Sequence, residues 1–288
     1  MRRPLATSEL FPAGNPDISA RFVELSTGVR VRVAESGPRD GKPLVMLHGW
    51  GGSLYMFRHG LTLLPPLGIR AIAVDLRGYG LSDKPHARGA YTLDAYLADL
   101  DALLDALELP RTALMGQSMG GAVALHYALR HPARVTRLVL VNPAALVPIV
   151  YPTLLRATPR GIARLVRERF VPRSLIGLIM RRIAYGDASR VTERDIDEYW
   201  APAKLAGYVN AAHAALHEFD WRPVTGEQAA SLAVSTLVVL GMRDRLIRRA
   251  RASAERLRGS RVYEMDGGHC VNEEHPGEFY RVVGGFVR

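Results

Sequence analysis

Six short β-rich runs of this chain, most of them largely apolar, stand out: 44–49, 69–76, 112–116, 137–142, 235–241 and 260–267. A strand with one wet face alternates apolar and polar residues. A strand that is apolar throughout is buried on both faces, as in a parallel sheet sandwiched between layers of helices. This pattern restricts the fold more than any other feature of the chain. Two earlier runs, 22–25 and 29–36, flank a Thr-Gly pair and predict an antiparallel opening pair. The strongest helical pattern is 92–109, where Leu93, Tyr96, Leu97, Leu100, Leu103, Leu104 and Leu107 recur at three- and four-residue spacing behind a capping Thr92. Its acidic residues Asp94, Asp99, Asp101, Asp105 and Glu108 fall mostly off that stripe and are expected on a solvated face, not around a metal.

The α/β alternation stops between 142 and 235. That length is too great for a loop. Pro143, Pro148, Pro152, Pro159 and Pro172 punctuate its first part, and helical patterns follow near 160–170, 174–185 and 204–219. The expected architecture is an α/β core over 1–143 and 231–288, a mostly parallel eight-stranded sheet flanked by helices. A helical lid, residues 144–230, is inserted after the sixth strand.

Composition narrows the functional classes. The chain has 288 residues, 48% hydrophobic and 23% charged, as in an ordinary globular protein. A single cysteine, Cys270, allows no internal disulfide and no cysteine-rich metal site. The first twenty residues hold no apolar run suited to a secretory signal, and nothing approaches the roughly 18 apolar residues of a membrane span. A cytoplasmic location is therefore the expectation. The net charge of +10 comes almost wholly from Arg, with Lys only at 42, 84 and 204. An Arg-rich codon composition gives the same excess. Without zinc-finger spacing, an RNP-like aromatic motif or a basic arm, no nucleic-acid partner is expected. Residues 151–190 concentrate nine Arg against Glu168 and Asp187. Two readings stay open: a solvated lid face, or a surface for anionic substrates or anionic membranes.

Residues 116–121 read GQSMGG, directly after the run 112–116 and directly before a helical pattern. Gly weakens both strand and helix, so its repetition signals a sharp turn. G-x-S-x-G at a strand–turn–helix junction lifts the Ser118 hydroxyl clear of the sheet as a candidate nucleophile. A serine hydroxyl needs a base held by a third group. Asp244 follows the run 235–241 and His269 follows the run 260–267, so Ser118, Asp244 and His269 all sit at strand ends in the order nucleophile, acid, base. Asp266 is the competing acid, although three residues from His269 it is badly placed for the imidazole. Asn142 carries no charge and cannot serve as the acid. One oxyanion donor is expected from the main-chain N–H of Met119 and a second from the loop after 44–49, read HGWGG.

Taken together, LHGWGG, DLRGYGLSDKP, GQSMGG, GMRD and GGHCVNEEHP resemble the α/β-hydrolase family, in its esterase-like branch with a helical lid, over roughly residues 22–287. The resemblance implies that the second oxyanion amide is that of Trp50, whose indole, with Met119, helps line the acyl pocket. It implies a structural role for His48 and for the loop 75–85, and Cys270 reads as a small packed residue. No cofactor and no metal is expected. The implied activity is hydrolysis of carboxylic esters of small to medium hydrophobic acids, small molecules that pass through an acyl-enzyme. A lactonase, a carbon–carbon bond hydrolase, a cofactor-free perhydrolase or a non-catalytic ligand-binding relative remain alternatives. A dinucleotide fingerprint is rejected: Gly49 and Gly51 follow a strand, but Leu54 stands where the third glycine belongs.

Overall fold

The structure is a computed structural model that describes residues 3–149 and 171–288. Eight strands form one sheet: β1 (Ser19–Glu24), β2 (Arg30–Ser36), β3 (Lys42–Leu47), β4 (Ile69–Asp75), β5 (Thr112–Gln117), β6 (Val135–Val141), β7 (Thr236–Gly241) and β8 (Ser260–Met265). Their spatial order is β1-β2-β4-β3-β5-β6-β7-β8. The opening pair is antiparallel and β2 runs antiparallel to β4; every later pairing is parallel. All eight strands fall at stretches legible in the sequence, with β1 starting three residues earlier than expected.

The helices among the described residues are α1 (Gly60–Leu63), α2 (Leu93–Ala106), α3 (Met119–Arg130), α4 (Arg173–Ile179), α5 (Glu193–Trp200), α6 (Tyr208–Glu218), α7 (Gly226–Ser231), α8 (Arg251–Glu255), α9 (Val271–Glu274) and α10 (Pro276–Val287). The parallel strands β3 to β7 are covered on both sides, which is why they read as largely apolar runs, whereas β8 at the sheet edge is only half-buried and mixed in sequence. Val45, Leu47, Leu114 and Val238 face a core shared with Leu100 and Leu103 of α2 and Val123 of α3. Leu44, Met46, Met115 and Val239, alternating with them, face a second core with Phe279 and Val283 of α10.

The expectation of a solvated acidic face on α2 fails at one position. Asp99 is buried, held by a two-pronged ion pair from Arg77 and by the Thr27 hydroxyl at 2.6 Å. A carboxylate on the border of an apolar stripe can be buried only when a cation and donors compensate it. The other acids of that face behave as expected; Asp94 and Asp105 are exposed partners of Arg130 and Arg134.

Between β6 and β7, the expected helix at 174–185 corresponds to α4 and its continuation through Ala184, and that at 204–219 to α6. The segment 160–170 lies outside the described residues. Helix α5 was not anticipated. Its signal was local, because Thr192 and Asp195 form a reciprocal capping box at its start. Arg173, Arg181 and Arg190 are paired with Glu193, Asp197 or Asp187. No helix among the described residues is long and apolar enough to cross a membrane.

Candidate active site

The carboxyl ends of β3, β5, β6, β7 and β8 bring together the residues singled out in the sequence. Ser118 follows β5 with φ 52° and ψ −116°, a region that non-glycine residues avoid. Surrounding bonds hold it there. Its N–H donates to Val141 O at 3.0 Å, and its carbonyl accepts from Ala122 and Ala144 N–H at 3.0 and 2.9 Å. The flanking glycines answer to space. A Cβ on Gly120 would stand 2.2 Å from Leu47 O, and one on Gly116 would stand 2.2 Å from Gly120 O. The turn therefore closes onto β3 only with small residues at both positions.

His269 and Asp244 meet directly. Nδ1 of the imidazole lies 2.8 Å from Asp244 Oδ2, while Oδ1 accepts the N–H groups of Leu246 and Ile247 at 2.7 and 3.0 Å. Burial opposes ionisation of Asp244, but the imidazole and the two N–H donors outweigh it and hold the carboxyl below its ordinary pKa. An ionised carboxylate only accepts, so Nδ1 carries the proton and the lone pair is on Nε2. Asp266 is turned outward and pairs with Arg243 at 2.7 Å. No hydrogen bond joins Ser118 Oγ to His269 among the described residues, a loose arrangement common in sites without substrate.

The loop after β3 is fixed from both sides. Buried His48 accepts Leu76 N–H on Nε2 at 3.0 Å, so its Nδ1 donates to Gly49 O at 2.8 Å. Desolvation lowers the pKa of His48 and keeps it neutral, which suits a structural part. Trp50 donates its indole N–H to Ala212 O in α6 at 2.9 Å, and the Tyr208 hydroxyl donates to Gly51 O at 3.0 Å. Among the described residues, neither the main-chain N–H of Trp50 nor that of Met119 has an internal acceptor. The two differ in their side chains. Trp50 is 37% exposed, whereas that of Met119 is wholly buried in the core between sheet and α3. The loop 75–85 braces this region, since Asp75 accepts Leu54 and Leu81 N–H at 2.7 and 2.9 Å.

Several residues that hold the histidine loop escaped the sequence reading. Gln117 Nε2 donates to His269 O at 3.0 Å, and Asn142 Nδ2 donates to Gly268 O and His269 O at 3.1 and 3.0 Å. Buried Glu274 accepts Gly268 N–H at 2.7 Å and the Gly186 and Asp187 N–H groups at 2.9 Å each. Beside it, Arg58 joins Glu273 and Asp195 (the latter at 2.9 Å), and the Tyr199 and Tyr55 hydroxyls complete the network. Burial pushes the Glu273 carboxyl up despite Arg58. Cys270 is buried, and its N–H donates to Ala184 O at 3.0 Å. The only sequence signal for Glu274 was its place in the motif after His269.

The chain is similar to several known proteins. The 2-hydroxymuconate semialdehyde hydrolase of Pseudomonas sp. (strain CF600) is 37% identical over 135 residues, 46% of this chain and 46% of that enzyme. The chain spans less than half the length of several such curated relatives. The non-heme chloroperoxidase of Streptomyces lividans is 30% identical over 268 residues, 88% of this chain and 94% of that protein. Among solved structures, an esterase from Exiguobacterium antarcticum superposes with a TM-score of 0.73 at 25% identity, covering 92% of this chain and 98% of that one. A family model described as the alpha/beta hydrolase fold matches residues 42–276. With its eight-stranded sheet and its strand-end serine, aspartate and histidine, the chain belongs to the alpha/beta hydrolase fold family.

Proposed function

We propose that this protein is a serine hydrolase of carboxylic esters of small to medium hydrophobic acids. The observation that carries the reading is the 2.8 Å bond between His269 Nδ1 and Asp244 Oδ2, at the strand ends that also hold the strained Ser118. In this reading His269 Nε2 takes the Ser118 proton as Oγ attacks the ester carbonyl. The Trp50 and Met119 N–H groups receive the oxyanion, and the imidazolium then protonates the departing alkoxide. Water repeats the sequence on the acyl-enzyme and frees the acid. Asp244 stays ionised, keeps the tautomer and stabilises the imidazolium. Residues 144–230 act as a cap whose helix α6 holds the Trp50 loop.

That the relatives include a 2-hydroxymuconate semialdehyde hydrolase and a non-heme chloroperoxidase supports a second reading on the same three residues, hydrolysis of a carbon–carbon bond or perhydrolysis. A fluorophosphonate probe followed by intact-mass spectrometry tests the shared core. One adduct on the wild type and none on Ser118→Ala is the expected result. Labelling that persists in the variant overturns it, and absence of labelling favours a ligand-binding relative. A p-nitrophenyl ester panel then separates the readings. Labelled enzyme that turns over no ester favours carbon–carbon or peracid chemistry.

A further inference from the structure

The turn that carries the Trp50 N–H is built almost wholly of glycine. It runs Gly49, Trp50, Gly51, Gly52 and is closed by the Gly52 N–H, which donates to Gly49 O at 3.1 Å. Gly51, its third residue, has φ 78°, a left-handed conformation that favours glycine. Three glycines give such a turn little stiffness of its own, so the direction of the Trp50 N–H is set from outside. Helix α6 supplies two of the outside contacts. The hydroxyl of Tyr208, the first residue of α6, donates to Gly51 O at 3.0 Å. Ala212, one turn further along the helix, accepts the Trp50 indole N–H at 2.9 Å.

These bonds are arranged in series. A trans peptide unit is planar, and its C=O and N–H point in opposite directions. Gly51 O and Gly52 N–H belong to one such unit, and Gly49 O and Trp50 N–H to another. The Tyr208 hydroxyl donates into the first unit, which donates from its far end into the second. The second unit ends on the Trp50 N–H, which meets no internal acceptor among the described residues. All the donors follow one direction, so each bond polarises the next. His48 Nδ1 adds a second donor to Gly49 O at 2.8 Å. The Tyr79 ring stands edge-on to both side-chain donors, its centroid 5.5 Å from that of His48 and 6.0 Å from that of Tyr208.

We propose that Tyr208 is a positioning residue for the oxyanion site. Its hydroxyl, relayed through the Gly51–Gly52 and Gly49–Trp50 peptides, aims the Trp50 N–H and strengthens it as a donor to the developing negative charge. The inference rests on the hydrolase reading and adds that helix α6 completes the oxyanion site. A neutral ester carbonyl draws less on this donor than an oxyanion does, so the relay acts on kcat and hardly on KM. Burial pushes the Tyr208 phenol up and keeps it protonated, so it donates at every pH at which His269 can work.

Tyr208→Phe removes the hydroxyl and keeps the ring. The probe is an aliphatic trifluoromethyl ketone: Ser118 Oγ bonds to its carbonyl carbon, the serine proton passes to His269, and the ketone oxygen becomes the oxyanion. Affinity is read as protection of Ser118 from a fluorophosphonate. A loss of about tenfold is expected in Tyr208→Phe, with unaltered far-UV circular dichroism and a like loss of kcat per labelled site for any ester turned over, while KM stays within about twofold. With 3-fluorotyrosine incorporated at position 208, a more acidic phenol of nearly the same shape, binding of the ketone should tighten by about twofold. Ketone affinity in Tyr208→Phe within about twofold of the wild type overturns the relay, and continued labelling of Ser118 then leaves the hydrolase reading standing. A loss confined to KM or to the labelled fraction also overturns it, since that marks a purely structural contact. So does a 3-fluorotyrosine chain that binds the ketone no more tightly than the wild type. A wild type in which Ser118 takes neither probe nor ketone overturns the hydrolase reading and the relay together.

Discussion

Asn142 Nδ2 lies 3.0 Å from the main-chain oxygen of His269, although 127 residues separate the two in the chain. Asn142 Oδ1 meanwhile accepts Gly241 N–H at 2.9 Å, so one buried amide ties the end of β6 to the end of β7 and to the histidine loop. Its positive φ of 41° turns the side chain into this position at a cost that the three bonds offset. Asn142→Ala leaves those groups unpaired and is expected to destabilise the fold by about 1–3 kcal/mol, measured by urea unfolding. In Asn142→Asp a carboxylate would face two carbonyl oxygens, so a greater loss of kcat than with Ala is expected. Equal kcat for the two would show that the amide donor does not matter.

The competition between the two aspartates has a direct test. Asp244→Asn removes the acceptor that fixes the His269 tautomer, and kcat for a p-nitrophenyl ester should fall by about four orders of magnitude. Asp266→Asn only breaks an exposed pair with Arg243 and should stay within about threefold of the wild type. A larger loss at Asp266 would reassign the acid.

Glu274 offers one carboxylate to three backbone N–H groups, two of them in the segment after α4 and one beside His269. Glu274→Gln turns an amide NH2 toward at least one of those donors. A loss of about 1.5–3 kcal/mol is expected. Hydrogen exchange should quicken at Gly186, Asp187 and Gly268 before it changes in α10. Unchanged exchange at these three amides would count against the bridge.

Acid should weaken the fold before it protonates the carboxylates. Burial lowers the pKa of His48 and His126, and burial with nearby Arg58 brings His59 down to about 4. The unfolded chain therefore binds protons near pH 6.5 that the folded chain refuses. Stability is full above that pH and declines as pH falls toward the folded values. Asp244, with its pKa lowered, adds a second loss only below the ordinary carboxylate range, about 3.9. Thermal unfolding between pH 8 and 4.5 should show Tm flat above about 6.5 and falling below it, with the slope reduced in His59→Asn. A Tm independent of pH down to 4.5 would contradict this.

Acyl-chain length should show an optimum. Each buried methylene contributes about 0.8 kcal/mol, or roughly fourfold in kcat/KM, until the acyl site is full. Across p-nitrophenyl esters from acetate to palmitate, kcat/KM should rise and then fall at short to medium length. A maximum at palmitate with activation at an interface would identify a lipase instead.

The sequence by itself made the strands legible, the inner parallel ones because burial on both faces leaves a largely apolar run, and it determined the sharp turn at Ser118, because only small residues fit there. It also fixed the order of Ser118, Asp244 and His269 at strand ends. Those are local properties, written in periodicity and in the residue types a turn demands. Tertiary structure brought Asp244, the aspartate favoured in the sequence, onto the imidazole and turned Asp266 outward to Arg243. It also buried Asp99 against Arg77, and it set Gln117, Asn142 and Glu274 around the histidine loop. Such partnerships join residues as far as 152 positions apart. They depend on the register of neighbouring strands and on how loops cross the sheet edge. A polar side chain in a loop reads the same in sequence whether it faces water or holds another loop in place. Only the fold, by removing the water, makes the difference.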